Sequence, residues 1–272
     1  MHPIIFSFNG ITIYSFGLMM GISFIIANYL LTKELQRKKL HPELSGTITL
    51  LAVIGGIAGS KILYLLENFS DFLKDPIGMA FSPGGLTFYG GFILATIAIY
   101  FYIRKKGIPF LVIADAASPA LLLAYGVARI GCHLAGDGDY GFPTTLPWGT
   151  DYSKGTYPPS YAFRDFPEIT SKFPNGIVPD TTLLHPTPMY EFIICTILFV
   201  ILWKYRTKIV EKGKMFSWYL IAAGAERFSI EFFRLNPKIL FGLSEAQIIA
   251  AILIILGIIG VKNRSSNSSS TQ

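Results

Sequence analysis

The chain has 272 residues, of which 51% are hydrophobic and only 15% are charged. Soluble domains carry roughly 25% charged residues, so this composition excludes an ordinary soluble globule, a disordered chain and a coiled coil. The mean hydropathy of +0.49 instead indicates a protein that is dissolved in a lipid bilayer. Both cysteines lie inside apolar stretches, so they provide neither a disulfide framework nor the spacing of a metal site.

Seven apolar stretches of about 20 residues follow one another along the chain, and each predicts a transmembrane helix. Their approximate bounds are 11–31, 47–66, 85–103, 113–134, 189–203, 215–233 and 246–261. The predicted fold class is therefore an all-α integral membrane protein with one seven-helix domain over residues 1–262. The polar segment 263–272 is predicted to be a disordered tail.

The 23 lysines and arginines are spread unevenly over the connections between these stretches. Fourteen lie in the odd-numbered connections and the tail, six lie in the even-numbered connections, and three lie inside the stretches. By the positive-inside rule, this places the N-terminus outside and the C-terminus in the cytoplasm. The net charge of +6 then reflects topology, and no nucleic-acid partner is expected. Connection 135–187, between helices 4 and 5, becomes a large external loop or subdomain.

Several ionisable residues lie inside the predicted helices, where each costs on the order of 2.5–3.5 kcal/mol unless it pairs or lines a cavity. Arg129 lies deep in the fourth stretch, close to Gly131 and other small residues that leave space for a ligand. In the sixth stretch, Arg227, Glu231 and Arg234 have the i, i+4, i+7 spacing of one helix face. Two arginines on separate helices indicate an anionic ligand such as a phospholipid head group. The alternative is a structural ion-pair ladder.

Five stretches resemble, in order, the motifs of one enzyme family. Gly55–Tyr64 is similar to the family's GGRIGY stretch, and Gly84–Gly91 is similar to GGMSFHGG. Ala128–Cys132 resembles the start of the GRxGNFxNxE signature, His185–Glu191 resembles HPSQLYE, and Arg227–Arg234 resembles RxxxEFFR. Because the five stretches occur in register across seven helices, the chain is identified as a divergent member of the bacterial prolipoprotein diacylglyceryl transferases.

The resemblance implies an enzyme that transfers the diacylglyceryl group of phosphatidylglycerol to the lipobox cysteine thiol of a prelipoprotein. The product is a thioether, and the reaction is the first step of lipoprotein maturation. The implied partners are phosphatidylglycerol, the prelipoprotein signal peptide with its lipobox, and the lipid bilayer. No metal and no cofactor are implied. The implied location is the bacterial cytoplasmic (inner) membrane, which the chain crosses several times.

Carried over residue by residue, the resemblance assigns Arg129 and Arg227 to the phosphatidylglycerol head group and to catalysis. Glu231 follows as the family's acid one turn after Arg227. Gly131 and Asp137, which stands where the signature has glutamate, complete the predicted phosphatidylglycerol site.

The chain departs from the family pattern at Tyr89, where histidine is usual, and at Cys132, where asparagine is usual. A phenol of ordinary pKa near ~10 is a poor base at neutral pH. His133 shares a helix face with Arg129, so we predict that His133 accepts the thiol proton and that Tyr89 positions the lipid. Two alternatives stay open: a catalytically altered paralogue, and a seven-span protein that binds or transports phospholipid.

Overall fold

The computed structural model describes residues 1–82, 84–85 and 87–269. In chain order, the helices are α1 (Ser15–Arg37), α2 (Leu44–Glu67), α3 (Phe69–Phe72), α4 (Pro76–Phe81), α5 (Phe88–Lys105), α6 (Phe110–Ala135), α7 (Pro159–Ala162), α8 (Pro167–Thr170), α9 (Thr187–Tyr205), α10 (Lys214–Ile230) and α11 (Glu245–Ser269). The strands are β1 (Ile4–Phe8), β2 (Ile11–Tyr14), β3 (Thr150–Asp151), β4 (Leu183–Leu184), β5 (Lys238–Leu240) and β6 (Leu243–Ser244). They pair as three antiparallel two-stranded sheets, β1–β2, β3–β4 and β5–β6.

The described part of the chain contains seven helices of 17 residues or more, and each coincides with one predicted stretch. Five of them, α1, α2, α6, α9 and α11, are long and apolar enough to cross a membrane. The mostly helical, membrane-type architecture therefore agrees with the sequence-based expectation. The other two long helices do not meet this criterion, since α5 ends in a charged turn and α10 has only 17 residues. That all seven helices cross the membrane therefore stays a prediction.

The start of the first predicted helix was placed too early, because residues 4–14 form the β1–β2 hairpin. Asn9 and Gly10 connect the two strands, and both have positive φ angles, 49° and 81°. An Asn-Gly pair favours this backbone and is a strong hairpin signal in a sequence. Helix α1 consequently begins at Ser15, where the backbone N–H of Ser15 donates to the Pro3 carbonyl at 2.9 Å.

The chain divides into two compact units, residues 28–116 and residues 1–27 with 117–272. We call the first the α2–α5 unit and the second the site unit. Within the α2–α5 unit, glycines let the two long helices approach closely. A Cβ at Gly59 would clash with the carbonyl oxygen of Gly90, and a Cβ at Gly55 would lie 2.8 Å from the Cα of Ala95. This is the packing expected of small-residue helix faces.

Within the site unit, the connection between α6 and α9 has a hydrophobic cluster of its own, and we call this segment the 136–186 lobe. Its fully or nearly fully buried members are Tyr140, Tyr152, Phe163, Ile169, Val178 and Leu184. The side chains that form it are thus spread over almost the whole connection, which gives the lobe a core. Its external position stays a proposal that depends on topology.

The predicted tail, 263–272, overlaps the end of α11, which is helical up to Ser269. Its last three residues, 270–272, lie outside the described part of the chain. Disorder of the tail therefore stays a prediction.

The α2–α5 contact leads to a stability prediction that compares two glycines of one helix. We expect Gly59→Ala to lower the unfolding temperature in detergent, because its methyl group meets the Gly90 backbone and overpacking costs about 1–3 kcal/mol. Gly56→Ala is the matched control, since a Cβ there meets nothing within 4 Å and the helix propensity gained is the same. Equal unfolding temperatures for the two variants would contradict this packing.

Candidate active site

A cluster of buried charges lies where α6, α9 and the end of α10 meet within the site unit. Its centre is Glu191, in the first turns of α9 and fully buried. One carboxylate oxygen lies 3.0 Å from Nε of Arg129 and 3.6 Å from Nη1 of Arg234. The other lies 3.5 Å from Nη1 of Arg227. One carboxylate is thus shared by three guanidinium groups, and we call this assembly the arginine cluster.

Arg129 is oriented by contacts to each of its three guanidinium nitrogens. Its Nη2 donates to the Tyr125 hydroxyl at 2.9 Å, and the guanidinium carbon lies 4.9 Å from the centre of the Tyr125 ring. The same hydroxyl donates to Glu191 at 3.1 Å. Nη1 contacts the sulfur of Cys132 at 3.5 Å and pairs with the carboxylate of Asp139. These contacts fix both the position and the plane of the side chain.

Asp139 bridges two members of the cluster, because one of its oxygens pairs with Arg129 and the other with Arg234. Burial alone would raise the pKa of this carboxyl, but the charges of Arg234 and Arg129 lower it to about 2. Asp139 is therefore ionised at neutral pH. The backbone amide of Gly141 donates to the His185 carbonyl at 2.9 Å and fixes the loop that carries Asp139.

The pairing within the end of α10 differs from the predicted ladder. Arg227 and the fully buried Glu231 do pair, with 2.9 Å between Nη2 and Oε2. The other oxygen of Glu231 accepts a 2.6 Å hydrogen bond from Asn236. Arg234, however, pairs with Asp139 and Glu191, because α10 ends at Ile230 and the chain turns away from the helix axis.

The family profile described as "Prolipoprotein diacylglyceryl transferase" matches residues 3–262 of this chain. The chain belongs to this family. Among its relatives, the Clostridium tetani phosphatidylglycerol–prolipoprotein diacylglyceryl transferase is 32% identical over 95% of this chain and 96% of the relative. The Chlorobaculum tepidum protein of the same name is 33% identical over 98% of this chain and 92% of the relative. The Clostridium perfringens relative, which carries that name with the number 2, is 32% identical over 92% of this chain and 90% of the relative.

Among the residues predicted for this diacylglyceryl transferase site, Arg129, Arg227 and Glu231 come together in the arginine cluster. Gly131 lies on α6 against α1, where a Cβ would be 3.1 Å from the Cα of Phe16, so it allows the two helices to pack closely. Asp137 lies beside the cluster, and its carboxylate accepts a hydrogen bond from the amide of Asp139 at 3.3 Å. Their roles toward phosphatidylglycerol stay predictions.

His133 and Tyr89 have surroundings that bear on their predicted roles. Nδ1 of His133 is hydrogen-bonded to the Tyr152 hydroxyl at 2.9 Å, so one of its two ring nitrogens already has a partner in the 136–186 lobe. Tyr89 lies in the first turn of α5, in the α2–α5 unit, with its ring edge against Phe88. His133 as a base and Tyr89 as a lipid-positioning residue both stay predictions.

Sequence reasoning missed three parts of the cluster: Glu191 as its centre, Asp139 as a bridge, and Arg234 as a partner of both. A signal for Glu191 was present, since it ends the motif that resembles HPSQLYE, but the motif alone does not indicate which arginines this carboxylate meets. Asp139 lay in a stretch without a family counterpart.

Three potential metal ligands also come close together here: the Cys132 sulfur and one oxygen each of Asp137 and Asp139 lie within 4.8 Å of one another. Asp139, however, already pairs with two guanidinium groups. A cation would compete with both arginines for that carboxylate, so the surroundings of this trio favour ion pairing.

We expect Glu191→Gln to destabilise this diacylglyceryl transferase by about 3–5 kcal/mol, because it leaves buried arginine charge without its shared partner. Asp71→Asn is the control: Asp71 and Lys74 form an exposed pair at 2.7 Å, and such pairs contribute about 1 kcal/mol or less. Denaturant unfolding in detergent measures both. Similar losses for the two variants would show that the shared carboxylate does not hold the site together.

Proposed function

We propose that the chain transfers the diacylglyceryl group of phosphatidylglycerol to the cysteine thiol of a prelipoprotein lipobox, forming a thioether. This reaction is the first step of lipoprotein maturation. The observation that supports it most directly is the arginine cluster, in a chain that matches the family over nearly its whole length. The relatives described above all bear the transferase name, which favours the enzyme over a lipid transporter.

The reaction is a displacement at the C3 carbon of the glycerol backbone of the lipid. The sulfur–carbon bond forms as the carbon–oxygen bond to the phosphate breaks, and the phosphate leaves with the head-group glycerol. Negative charge on the leaving phosphate grows during this step. Fixed cations directed at that charge lower the barrier most when they are oriented in advance and shielded from water.

Arg129 and Arg227 have the chemistry and the exposure for this role. A guanidinium group stays charged at any physiological pH and offers a planar set of donors that matches a phosphate. The side chains of Arg129 and Arg227 are 18% and 24% exposed, so part of each remains accessible to a ligand. Glu191 and Glu231, both fully buried, act as positioning residues that fix the two guanidinium planes.

We also propose that all seven long helices cross the bacterial cytoplasmic membrane, with the N-terminus outside. The charge distribution supports this topology, since fourteen of the lysines and arginines would then face the cytoplasm. The arginine cluster lies near the end of α6 that leads into the 136–186 lobe. In this orientation, the site lies in the outer half of the membrane, where a prelipoprotein presents its lipobox.

Arg129 provides the test of the catalytic role. We expect Arg129→Ala to reduce transfer to a lipobox peptide by at least about 10²-fold, as the loss of an oriented charge donor does in other enzymes. Arg129→Lys should recover little, since lysine keeps the charge but loses the planar set of donors. The assay measures peptide lipidation in detergent that contains phosphatidylglycerol.

Arg164→Lys is the control for this experiment, because Arg164 is exposed on the 136–186 lobe and pairs with Asp165. It should keep wild-type activity. If Arg129→Lys were equally active, charge alone would suffice and the geometric role of the guanidinium group would be refuted.

Topology is tested by protease-sensitive tags in intact cells. A tag in the exposed part of the 136–186 lobe, for example after Asp165, should be cleaved from outside. A tag next to Lys105, in the predicted cytoplasmic connection, should be cleaved only after the membrane is permeabilised. Cleavage next to Lys105 in intact cells would overturn the proposed orientation.

A further inference from the structure

A cavity of about 410 Å³ lies in the site unit, where α1 begins and α6 ends. Most of its wall is apolar, and among the lining residues only Asp137 carries a carboxyl group. The lining residues are Pro3, Tyr14, Phe16, Gly17, Ala135, Asp137 and Thr156. None of the three arginines of the cluster belongs to this lining.

Asp137 connects the cavity to the arginine cluster. Its carboxylate accepts a hydrogen bond from the amide of Asp139 at 3.3 Å, and one of its oxygens lies within 4.8 Å of the Cys132 sulfur. The Cys132 sulfur in turn lies 3.5 Å from Nη1 of Arg129. A group in the cavity beside Asp137 is therefore only a few side-chain contacts away from the proposed phosphate site.

We propose that this cavity binds the cysteine-bearing segment of the prelipoprotein and that Asp137 accepts the proton of its thiol. The inference rests on the proposed transferase function. It gives Asp137 a role toward the second substrate, whereas the family resemblance assigned it to phosphatidylglycerol.

Charge separates the two substrates between the two sites. A phosphodiester is an anion, so it is attracted by the arginine cluster and repelled by the carboxylate of Asp137. An apolar peptide segment matches the apolar wall, and the thiol of its cysteine is a donor that Asp137 can use. A lipid acyl chain would also fit an apolar wall, but it has no group that pairs with a carboxylate.

The Asp137 carboxylate has acceptor positions left for a substrate thiol. An ionised carboxylate has about four such positions, and the Asp139 amide occupies one of them. A substrate thiol can use another. His133, the base predicted from sequence, is not among the cavity-lining residues, and its Nδ1 is bound to Tyr152.

The proposed step involves only the two substrates and Asp137. The thiol proton passes to the Asp137 carboxylate as the sulfur attacks C3 of the glycerol backbone. The bond between C3 and the phosphate oxygen breaks, and its electron pair leaves with the phosphate. The protonated Asp137 then returns the proton to the leaving phosphate or to water, and the carboxylate is restored.

The surroundings of Asp137 favour this proton transfer. Burial, together with the negative charge of Asp139, raises the pKa of Asp137 and brings it closer to that of a thiol. The hydrogen bonds from Cys132 and the Asp139 amide, and the charge of Arg129, act in the opposite direction and are weaker. The phenols of Tyr140 and Tyr152 also interact with this carboxyl.

Two glycines of α1 test the cavity. A Cβ at Gly17 or at Gly21 meets nothing within 4 Å, but Gly17 lines the cavity and Gly21, one turn further along, does not. Gly17→Leu should raise KM for a synthetic lipobox peptide at least tenfold and leave KM for phosphatidylglycerol unchanged. Gly21→Leu should change neither value. A rise in KM for phosphatidylglycerol in Gly17→Leu would show that lipid occupies the cavity and would overturn the proposal.

A disulfide-trapping experiment tests the contact between the peptide and the cavity without measuring enzyme activity. Gly17→Cys should form a disulfide with the cysteine of the lipobox peptide under a mild oxidant, and Gly21→Cys should form far less. The native Cys132 and Cys195 are buried, so they give a low background. Equal trapping at both positions would overturn the proposed binding site.

The role of Asp137 as base is tested by rate and pH together. Asp137→Asn should lower kcat/KM for the peptide by about 10²–10⁴-fold, which is the usual contribution of a general base, and should abolish the loss of rate toward acid pH. Asp137→Glu should recover part of the rate and keep this acid limb. If His133→Phe removes the limb and Asp137→Asn keeps it, His133 is the base and the inference is wrong. The wild-type protein distinguishes failure of this inference from failure of the proposed function. If the wild-type protein lipidates no peptide, the proposed function itself is wrong.

Discussion

The site depends on one buried carboxylate that three arginines share. Removing a carboxylate or a guanidinium group from water costs several kcal/mol, and ion pairing offsets this cost only when partners are close and well oriented. Glu191 meets Arg129, Arg227 and Arg234 within 3.0–3.6 Å. Each arginine would be a poorly compensated buried charge if α6, α9 and the end of α10 did not meet at this point. The same ion pairs therefore determine both the packing of these helices and the placement of the phosphate-binding groups.

The long helices were predictable because their signal is local. Twenty apolar residues in a row favour a membrane helix whatever lies elsewhere in the chain, and the pair Arg227 and Glu231 follows from helical spacing alone. The Gly90-Gly91 pair shows the limit of local reasoning. Glycine disfavours a helix interior, yet both residues lie inside α5 and allow its close contact with α2. The same glycines can interrupt a helix or let two helices touch, and only the partner helix decides which occurs.

The centre of the cluster was not predictable in the same way, because its contacts join distant parts of the chain. Glu191 meets Arg129, 62 residues earlier, and Asp139 meets Arg234, 95 residues later. No periodic pattern carries such pairs. Arg234 also shows how a helix end changes a prediction: the i+7 spacing places it on the face of Arg227 only if the helix continues, and α10 ends at Ile230.

The bridge made by Asp139 explains how the resting cluster is balanced and where substrate enters. The groups in direct ion contact are three guanidinium groups and three carboxylates, so a phosphate that simply joined them would add an excess negative charge. Glu191 and Glu231 are fully buried, whereas the side chain of Asp139 is 28% exposed and lies on a loop. In the proposed reaction, Asp139 is therefore the carboxylate that gives way when the phosphate binds Arg129 and Arg227, which exchanges one anion for another.

That exchange reaches Asp137 as well. The amide of Asp139 donates to the Asp137 carboxylate, and the negative charge of Asp139 helps to raise the pKa of Asp137. When a phosphate takes the place of the Asp139 carboxylate at Arg129, one anion close to the arginines is replaced by another. Negative charge close to Asp137 therefore persists while lipid is bound, and it acts in the direction that raises the pKa of this carboxyl. The two substrates are in this way coupled through charge, because the anion held by the arginine cluster favours proton uptake by the group that we assign to the thiol of the second substrate.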